Sequence, residues 1–232
     1  FNSLLRMKIL SIETSCDETA AAIVSKDPRE NFVKVLSNVT ATSLPYHAKT
    51  GGIVPNIAAR EQLKYIIPVI KKAMEDGKCE MENLDAIAVT VGPGLIGSLL
   101  VGIETAKTLA YLWKKPIVPV NHLLGHIYAN WLTTNNKRPA TILFPAIALI
   151  VSGGHTDLVL LKNHKEFKWI GGTLDDAAGE AFDKIGRLLN LSYPGGPAIE
   201  KASIRGMEGR FTFPRPMIGS KDFNFSFSGL KA

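Results

Sequence analysis

The hydrophobic positions of this chain fall into short apolar runs bounded by polar or glycine-rich turns, with longer stretches of helical periodicity between them. Residues 8–13 and 20–24 are two such runs. Thr14-Ser15-Cys16-Asp17-Glu18-Thr19, small and polar, links them, which predicts strand, turn, strand. Residues 144–151 and 157–161 repeat the scheme around Ser152-Gly153-Gly154-His155-Thr156, so two related halves are expected. Across residues 56–74, Ile57, Leu63, Ile66, Ile67, Ile70 and Met74 recur at helical spacing. Residues 84–91 predict a buried strand that runs through Gly92-Pro93-Gly94-Leu95-Ile96-Gly97-Ser98 into a helix reaching Trp113. Residues 116–120 predict a further strand. Residues 177–190 are amphipathic, with Phe182, Ile185, Leu188 and Leu189 on one side and Glu180, Asp183 and Arg187 on the other. Strands alternating with helices predict the α/β class. A hinge at residues 139–145 divides the chain into domains 7–140 and 141–232.

Composition narrows this reading. The chain has 232 residues, 46% hydrophobic and 21% charged, enough for a packed core and too apolar for disorder. No run of 18 apolar residues occurs, so no transmembrane helix is expected. FNSLLRMKIL at the N-terminus carries no signal-peptide pattern. Cys16 and Cys79 form no CxxC and read as reduced cytosolic thiols, so a cytoplasmic location is expected, with no membrane partner. The net charge of +6 and pI near 9.3 suit a polyanionic partner such as RNA, but the lysines are scattered. Met7 reads as a true start. The end, just after Ser228-Gly229, reads as that of a fragment lacking its C-terminal part.

Several motifs carry candidate chemistry. His122 and His126 in Asn121-His122-Leu123-Leu124-Gly125-His126 are spaced to share one face of a helix and one metal ion, or they are unrelated structural histidines. A zinc protease would place its glutamate base where Leu123 stands, which argues against that chemistry. Ser152-Gly153-Gly154 after an apolar strand offers backbone N–H groups to an anion, or serves only as a tight turn. Gly92-Pro93-Gly94 could hold an anion at the N-terminus of the following helix or be only a strand-to-helix turn; it is not a P-loop, since no GK[ST] follows. Glu13, Asp17 and Glu18 crowd one turn and require a cation, a hydroxyl network or solvent; Glu13 and Asp17 are the candidate catalytic carboxylates. Asp183 and Arg187 have the spacing of a helical ion pair. Pro194-Gly195-Gly196-Pro197 is a rigid turn ahead of a helix.

Taken together, Ile12-Glu13-Thr14-Ser15-Cys16-Asp17-Glu18-Thr19, Gly51-Gly52-Ile53-Val54-Pro55, Gly92-Pro93-Gly94-Leu95, the histidine pair, Ser152-Gly153-Gly154-His155-Thr156, Asp175-Asp176-Ala177-Ala178-Gly179-Glu180-Ala181-Phe182-Asp183, Tyr193-Pro194-Gly195-Gly196-Pro197 and Phe225-Ser226-Phe227-Ser228-Gly229-Leu230-Lys231 resemble the TsaD family in content and order, in its bacterial branch. The resemblance implies an actin/Hsp70/sugar-kinase-like two-lobe fold, incomplete at the C-terminus. It implies transfer of the threonylcarbamoyl group of L-threonylcarbamoyl-AMP to N6 of adenosine 37 in tRNAs reading codons that begin with A. It also implies one divalent metal on His122 and His126, iron or else zinc or magnesium, with a third ligand, an aspartate, beyond this chain. Substrate contacts are implied at Ile150, Val151, Ser152, Gly153, Gly154, Asp183 and Gly196, and TsaB-like and TsaE-like partner proteins besides tRNA. The rivals are a non-catalytic paralogous scaffold, a metalloprotease and a small-molecule kinase of the same fold.

Overall fold

The computed structural model describes residues 6–50, 52–133, 141–207 and 209–231. Gly51 of the second motif, and Pro139 and Ala140 of the expected hinge, lie outside the described residues. The chain divides into two compact units, Phe1–Ala140 and Thr141–Ala232.

The first unit runs β1 (Met7–Glu13), β2 (Glu18–Lys26), β3 (Val33–Thr42), α1 (Leu44–Thr50), α2 (Pro55–Asp76), β4 (Ala86–Gly92), α3 (Ile96–Trp113), β5 (Ile117–Asn121), α4 (His122–Tyr128) and the short β6 (Leu132–Thr133). Its sheet has the order β5-β4-β1-β2-β3-β6. β1, β2 and β3 form an antiparallel meander, and β4 lies parallel to β1 on the other side. Burial alternates along β2, as a strand with one covered face requires, whereas residues 86–90 of β4 are all buried. Leu10, Ile12, Ile23, Ile87 and Val89 of the sheet meet Ile66, Val69, Ile70 and Ala73 of α2 and Val101, Ala106 and Ala110 of α3. Each large aliphatic side chain removed from water there stabilises the unit by about 1.5–3 kcal/mol.

Of the apolar positions expected to pack on α2, Ile66 and Ile70 are buried, but others are not. Leu63 and Ile67 stand 65% and 58% exposed; the face that packs inward runs through Ala58, Gln62, Ile66, Val69 and Ala73. A helix buries one stripe only, and this stripe takes in a glutamine. The lysines of α2 pair with carboxylates of the same helix. Lys64 pairs with Glu61 at 2.5 Å, Lys71 with Glu75 at 3.9 Å and Lys72 with Asp76 at 2.7 Å, so the helix neutralises most of its own charge.

The second unit opens on the same kind of meander: β7 (Ala146–Val151), β8 (Thr156–Leu161) and β9 (Phe167–Gly172), all antiparallel. α5 (Ala178–Leu188) and α6 (Gly195–Ser203) follow. On α5 the expected apolar face is not the packing face. Phe182 and Leu188 are exposed, and Ala181 and Gly186 are buried. The close approach is made instead by the stripe Gly179, Asp183, Gly186, spaced four and three residues apart. A Cβ on Gly179 would lie 2.6 Å from the Ser152 carbonyl oxygen, and one on Gly186 3.0 Å from the Gly195 Cα. Backbone-to-backbone contact therefore requires glycine at 179, and at 186 a side chain fits only if the neighbouring backbone gives by a few tenths of an ångström.

The end of the chain is held by Asp175. Its carboxylate accepts from the Ser226 hydroxyl at 2.6 Å, the Phe227 N–H at 2.8 Å, and the Ser228 hydroxyl and N–H at 2.8 and 3.1 Å. These donors, the Ser226 hydroxyl first among them, hold its carboxyl well below the usual range.

Candidate functional site

In the first unit the chemistry gathers at the C-terminal ends of β1, β4 and β5. β1 ends on Glu13, β4 brings Thr90 beside it, and β5 hands over directly to α4, which starts at His122. Asn121 caps α4: its side-chain oxygen accepts the N–H groups of Leu123 at 2.9 Å and Leu124 at 3.2 Å. That cap, with Leu123 and Ile127 buried, fixes a helix of only seven residues. It leaves the ring nitrogens Nε2 of His122 and His126 facing each other at 3.1 Å.

The other nitrogen of His122 is held from behind. Nδ1 lies 3.2 Å from the Ser15 hydroxyl and 3.5 Å from Glu13 Oε2. Glu13 in turn accepts the Ser15 N–H at 2.6 Å and a hydrogen bond from the Thr90 hydroxyl. With the proton on Nδ1, pointed at hydroxyl and carboxylate, Nε2 presents its lone pair toward His126. Burial raises the Glu13 carboxyl, but the hydrogen bonds from His122, Ser15 and Thr90 outweigh it and pull the pKa down to about 2. The sign follows: this contribution to folding is present above the ordinary carboxylate pKa of 4.5 and is lost as pH falls toward 2. At neutral pH Glu13 is an anion engaged by three neighbours, which suits it to orient His122 rather than to accept protons.

Two imidazole nitrogens that bind one ion at about 2.0–2.1 Å stand roughly 3.0–3.4 Å apart. The Nε2 separation in this pair is of that size, and a hydrogen-bonded Nδ1 is the usual support of a ligating histidine. The residues present therefore fit a divalent metal as two of its ligands. Among the described residues, no group of three or more His, Cys, Asp or Glu side chains converges as a metal site. Leu123, where a zinc protease carries its base, is 7% exposed and belongs to the core. At the position of that base the chain thus has a buried aliphatic side chain.

Asp17 is placed differently from Glu13. Its backbone carbonyl accepts the Ser43 N–H at 2.9 Å and the Ser43 hydroxyl at 2.8 Å. Its carboxylate acts on its neighbours: burial first, and then Asp17, pushes the Cys16 thiol up to about 12 and raises Glu18. A thiol so placed is protonated at neutral pH and is not a nucleophile. Ser15 and Thr90 were not singled out as site residues by sequence reasoning. Thr90 could have been found as a hydroxyl at the end of an otherwise apolar buried strand.

In the second unit, residues 152–155 close the β7–β8 hairpin. The Ser152 hydroxyl accepts the His155 N–H at 3.0 Å, and the Ser152 N–H donates to the His155 carbonyl at 2.8 Å. A Cβ at Gly153 or Gly154 would meet nothing within 4 Å, so packing does not demand glycine there. The Ile150 side chain is buried and Val151 is 56% exposed. The start of α5 is tied to this loop, the Gly179 N–H donating to the Ser152 carbonyl at 3.2 Å and the Ala178 N–H to the Thr156 hydroxyl at 2.9 Å. One turn along, Asp183 Oδ1 accepts the Gly195 N–H at 2.7 Å and holds the turn that presents Gly196. α5 thus links the Ser152–Gly154 loop, Asp183 and Gly196.

The two units repeat one device. In each, the carbonyl of a serine in the first hairpin turn accepts the N–H at the start of a helix: Leu95 to Ser15 at 2.8 Å, and Gly179 to Ser152. A Cβ at Gly94 would lie 2.6 Å from that Ser15 oxygen. Gly92-Pro93-Gly94 therefore seats α3 on the Glu13 turn, and the Leu95 N–H is directed into the protein.

Comparison with known proteins agrees with these motifs. The family described as TsaD: tRNA N6-adenosine threonylcarbamoyltransferase matches residues 34–232. The chain is 55% identical over 226 residues to the tRNA N6-adenosine threonylcarbamoyltransferase of Thermomicrobium roseum, covering 97% of this chain and 60% of that protein. It is 51% identical over 225 residues to the protein of that name from Thermosipho africanus, covering 97% and 65%. For the one from Dehalococcoides mccartyi the figures are 53% over 226 residues, covering 97% and 65%. The chain thus spans about three-fifths to two-thirds of the length of these relatives. Among solved structures, YeaZ from Pseudomonas aeruginosa is similar at a TM-score of 0.43 and 15% identity, over 70% of this chain and 64% of that one.

Proposed function

The chain belongs to the TsaD family, and on that premise we propose that the whole protein transfers a threonylcarbamoyl group from L-threonylcarbamoyl-AMP to N6 of adenosine 37 in tRNAs reading codons that begin with A. The observation that carries this is identity of 51–55% to threonylcarbamoyltransferases along 97% of the chain. In the reaction N6 bonds to the carbamoyl carbon, N6 loses a proton, and the bond from that carbon to the phosphate oxygen breaks as AMP leaves with the electron pair. An exocyclic amine is a weak nucleophile, so charge must be stabilised on the carbonyl oxygen and on the departing phosphate.

His122 and His126 would hold one divalent ion, iron or else zinc or magnesium; imidazole suits iron and zinc alike and magnesium less. When bound it supplies Lewis acidity and a template for the substrate. The chain's own residues do the rest of what these units can do. Glu13 and Ser15 hold the His122 ring and its tautomer. The backbone of Ser152, Gly153 and Gly154, with Ile150 and Val151 leading in, receives the adenylate phosphate, and Asp183 and Gly196 receive the nucleoside. Asp17, bound through its carbonyl to Ser43, shapes the turn that carries Glu13. The protease alternative loses its base to the buried Leu123, and the histidine pair favours an enzyme over a scaffold.

Activity is expected to need a TsaB-like partner, a TsaE-like ATPase and a separate synthase that makes the adenylate, in the cytoplasm. No helix among the described residues is long and apolar enough to cross a membrane. The test is a reconstituted assay with full-length protein, adenylate and tRNA, read by mass analysis of adenosine 37. Modification is expected with the partners and not without them. tRNA affinity is expected to fall as salt rises, by about 0.9 log units per log unit of salt for each phosphate neutralised in duplex regions. Full modification by the protein alone would refute the partner dependence, and none with every component present would refute the function.

A further inference from the structure

We propose that Gln62 is the residue that positions the Glu13–Ser15 support of His122; the inference rests on the metal reading of the histidine pair. Gln62 lies on the inward stripe of α2 and is 1% exposed. Its Nε2 donates to the carbonyl oxygens of Cys16 and Glu18, each at 3.0 Å, with that of Thr14 farther away at 3.4 Å. Thr14 and Cys16 belong to the turn between β1 and β2, and Glu18 opens β2. An amide nitrogen has two N–H groups, so Cys16 and Glu18 take one each and Thr14 shares.

Three converging acceptors fix which end of the amide faces them, since the oxygen end would meet only repulsion. The consequence is visible on the other side: Gln62 Oε1 is buried with no hydrogen-bond partner among the described residues. Leaving a polar atom buried and unpaired is unfavourable, and an apolar residue at this point of the stripe would avoid it. The donors are what this position requires. The turn they hold is the one from which Ser15 and Glu13 reach His122 Nδ1, and no other side chain of α2 hydrogen-bonds to it among the described residues. Ser98, from α3, supplements the hold at Cys16 at 3.2 Å. Gln62 touches neither histidine; it acts through the turn.

The test uses full-length protein with 15N-labelled histidine and two variants that keep most of the side chain's bulk without its N–H donors, Gln62→Met and Gln62→Leu. In metal-free protein the Nδ1 proton of His122, identified by its loss in His122→Ala, is expected to exchange slowly. In both variants it is expected to broaden into solvent exchange while the circular dichroism of the folded chain is retained. Titrated with Co(II), the variants are expected to bind roughly 10- to 100-fold more weakly than the unsubstituted protein, as losses behind a ligand do. An unchanged Nδ1 proton in a folded variant overturns the proposal, and unfolding of both variants overturns it in favour of a purely structural role. If the unsubstituted protein binds Co(II) no better than the His122→Ala/His126→Ala variant, the metal reading falls. The Nδ1 proton then decides on Gln62 by itself.

Discussion

Full-length protein carrying both His122→Ala and His126→Ala is expected to lose its bound divalent metal and, with partners and adenylate supplied, to form modified adenosine 37 at a rate lower by roughly three orders of magnitude. Lewis-acid stabilisation of transition-state charge is worth several kcal/mol, and about 1.4 kcal/mol is a factor of ten. The geometry behind the expectation is the 3.1 Å approach of the two Nε2 atoms, backed by the Ser15 and Glu13 contacts to the other nitrogen of His122. The loss should not come from unfolding. α4 is held by the Asn121 cap and by Leu123 and Ile127, none of which is changed. A change in stability within about 1 kcal/mol is therefore expected. Metal analysis beside a thermal melt checks both halves. Equal metal content in the variant and the unsubstituted protein would sink the assignment whatever happens to the rate.

The hairpins at 14–19 and 152–156, the long helix over 56–74 and the strand over 84–91 were legible because their apolar positions repeat with a clear period. β3 was not, because Ser37 and Asn38 interrupt its alternation, and β9 was not, because Phe167 and Trp169 stand in a short segment rich in lysine and glycine. The spacing of the histidine pair was legible, but spacing alone left a shared metal and two unrelated structural histidines equally open. The support of the pair was not legible: Ser15 and Thr90 are small hydroxyl residues whose importance comes from long-range contacts, Thr90 lying 77 positions from Glu13. Gln62 is the sharpest case. Periodicity assigns α2 an apolar face through Leu63 and Ile67, but the sheet selects the neighbouring stripe, and only there does a buried amide find three carbonyls. On α5 the same misreading has a different cause, since the packing face is made of Gly179, Asp183 and Gly186, which carry no hydrophobic signal.

Asp183→Ala in the full-length protein is expected to weaken AMP binding by about ten- to a hundredfold, whereas Asp183→Asn should fall between the two. The reasoning separates two functions of one carboxylate. Oδ1 accepts the Gly195 N–H at 2.7 Å and so holds the turn that presents Gly196. Alanine removes that acceptor, so nucleotide binding must itself order the freed turn, at a cost of about 1–3 kcal/mol; at about 1.4 kcal/mol per factor of ten, that is the range stated. Asparagine keeps an oxygen for Gly195 but gives up the charge that would draw ribose hydroxyls. The size of its defect therefore measures the direct contact with nucleotide. Gly195→Ala gives the complementary case, since its Cβ would collide with the Phe182 carbonyl and the Asp183 Cα. It forces α6 away from α5, destabilising the unit by about 1–3 kcal/mol as overpacking does, with Asp183 itself intact. Calorimetric titration of AMP, with a melt for each variant, resolves the three. If Asp183→Ala binds AMP as the unsubstituted protein does, neither Asp183 nor the turn it holds belongs to the adenylate site. If Asp183→Asn matches Asp183→Ala, the charge rather than the Gly195 hydrogen bond is what the nucleotide reads.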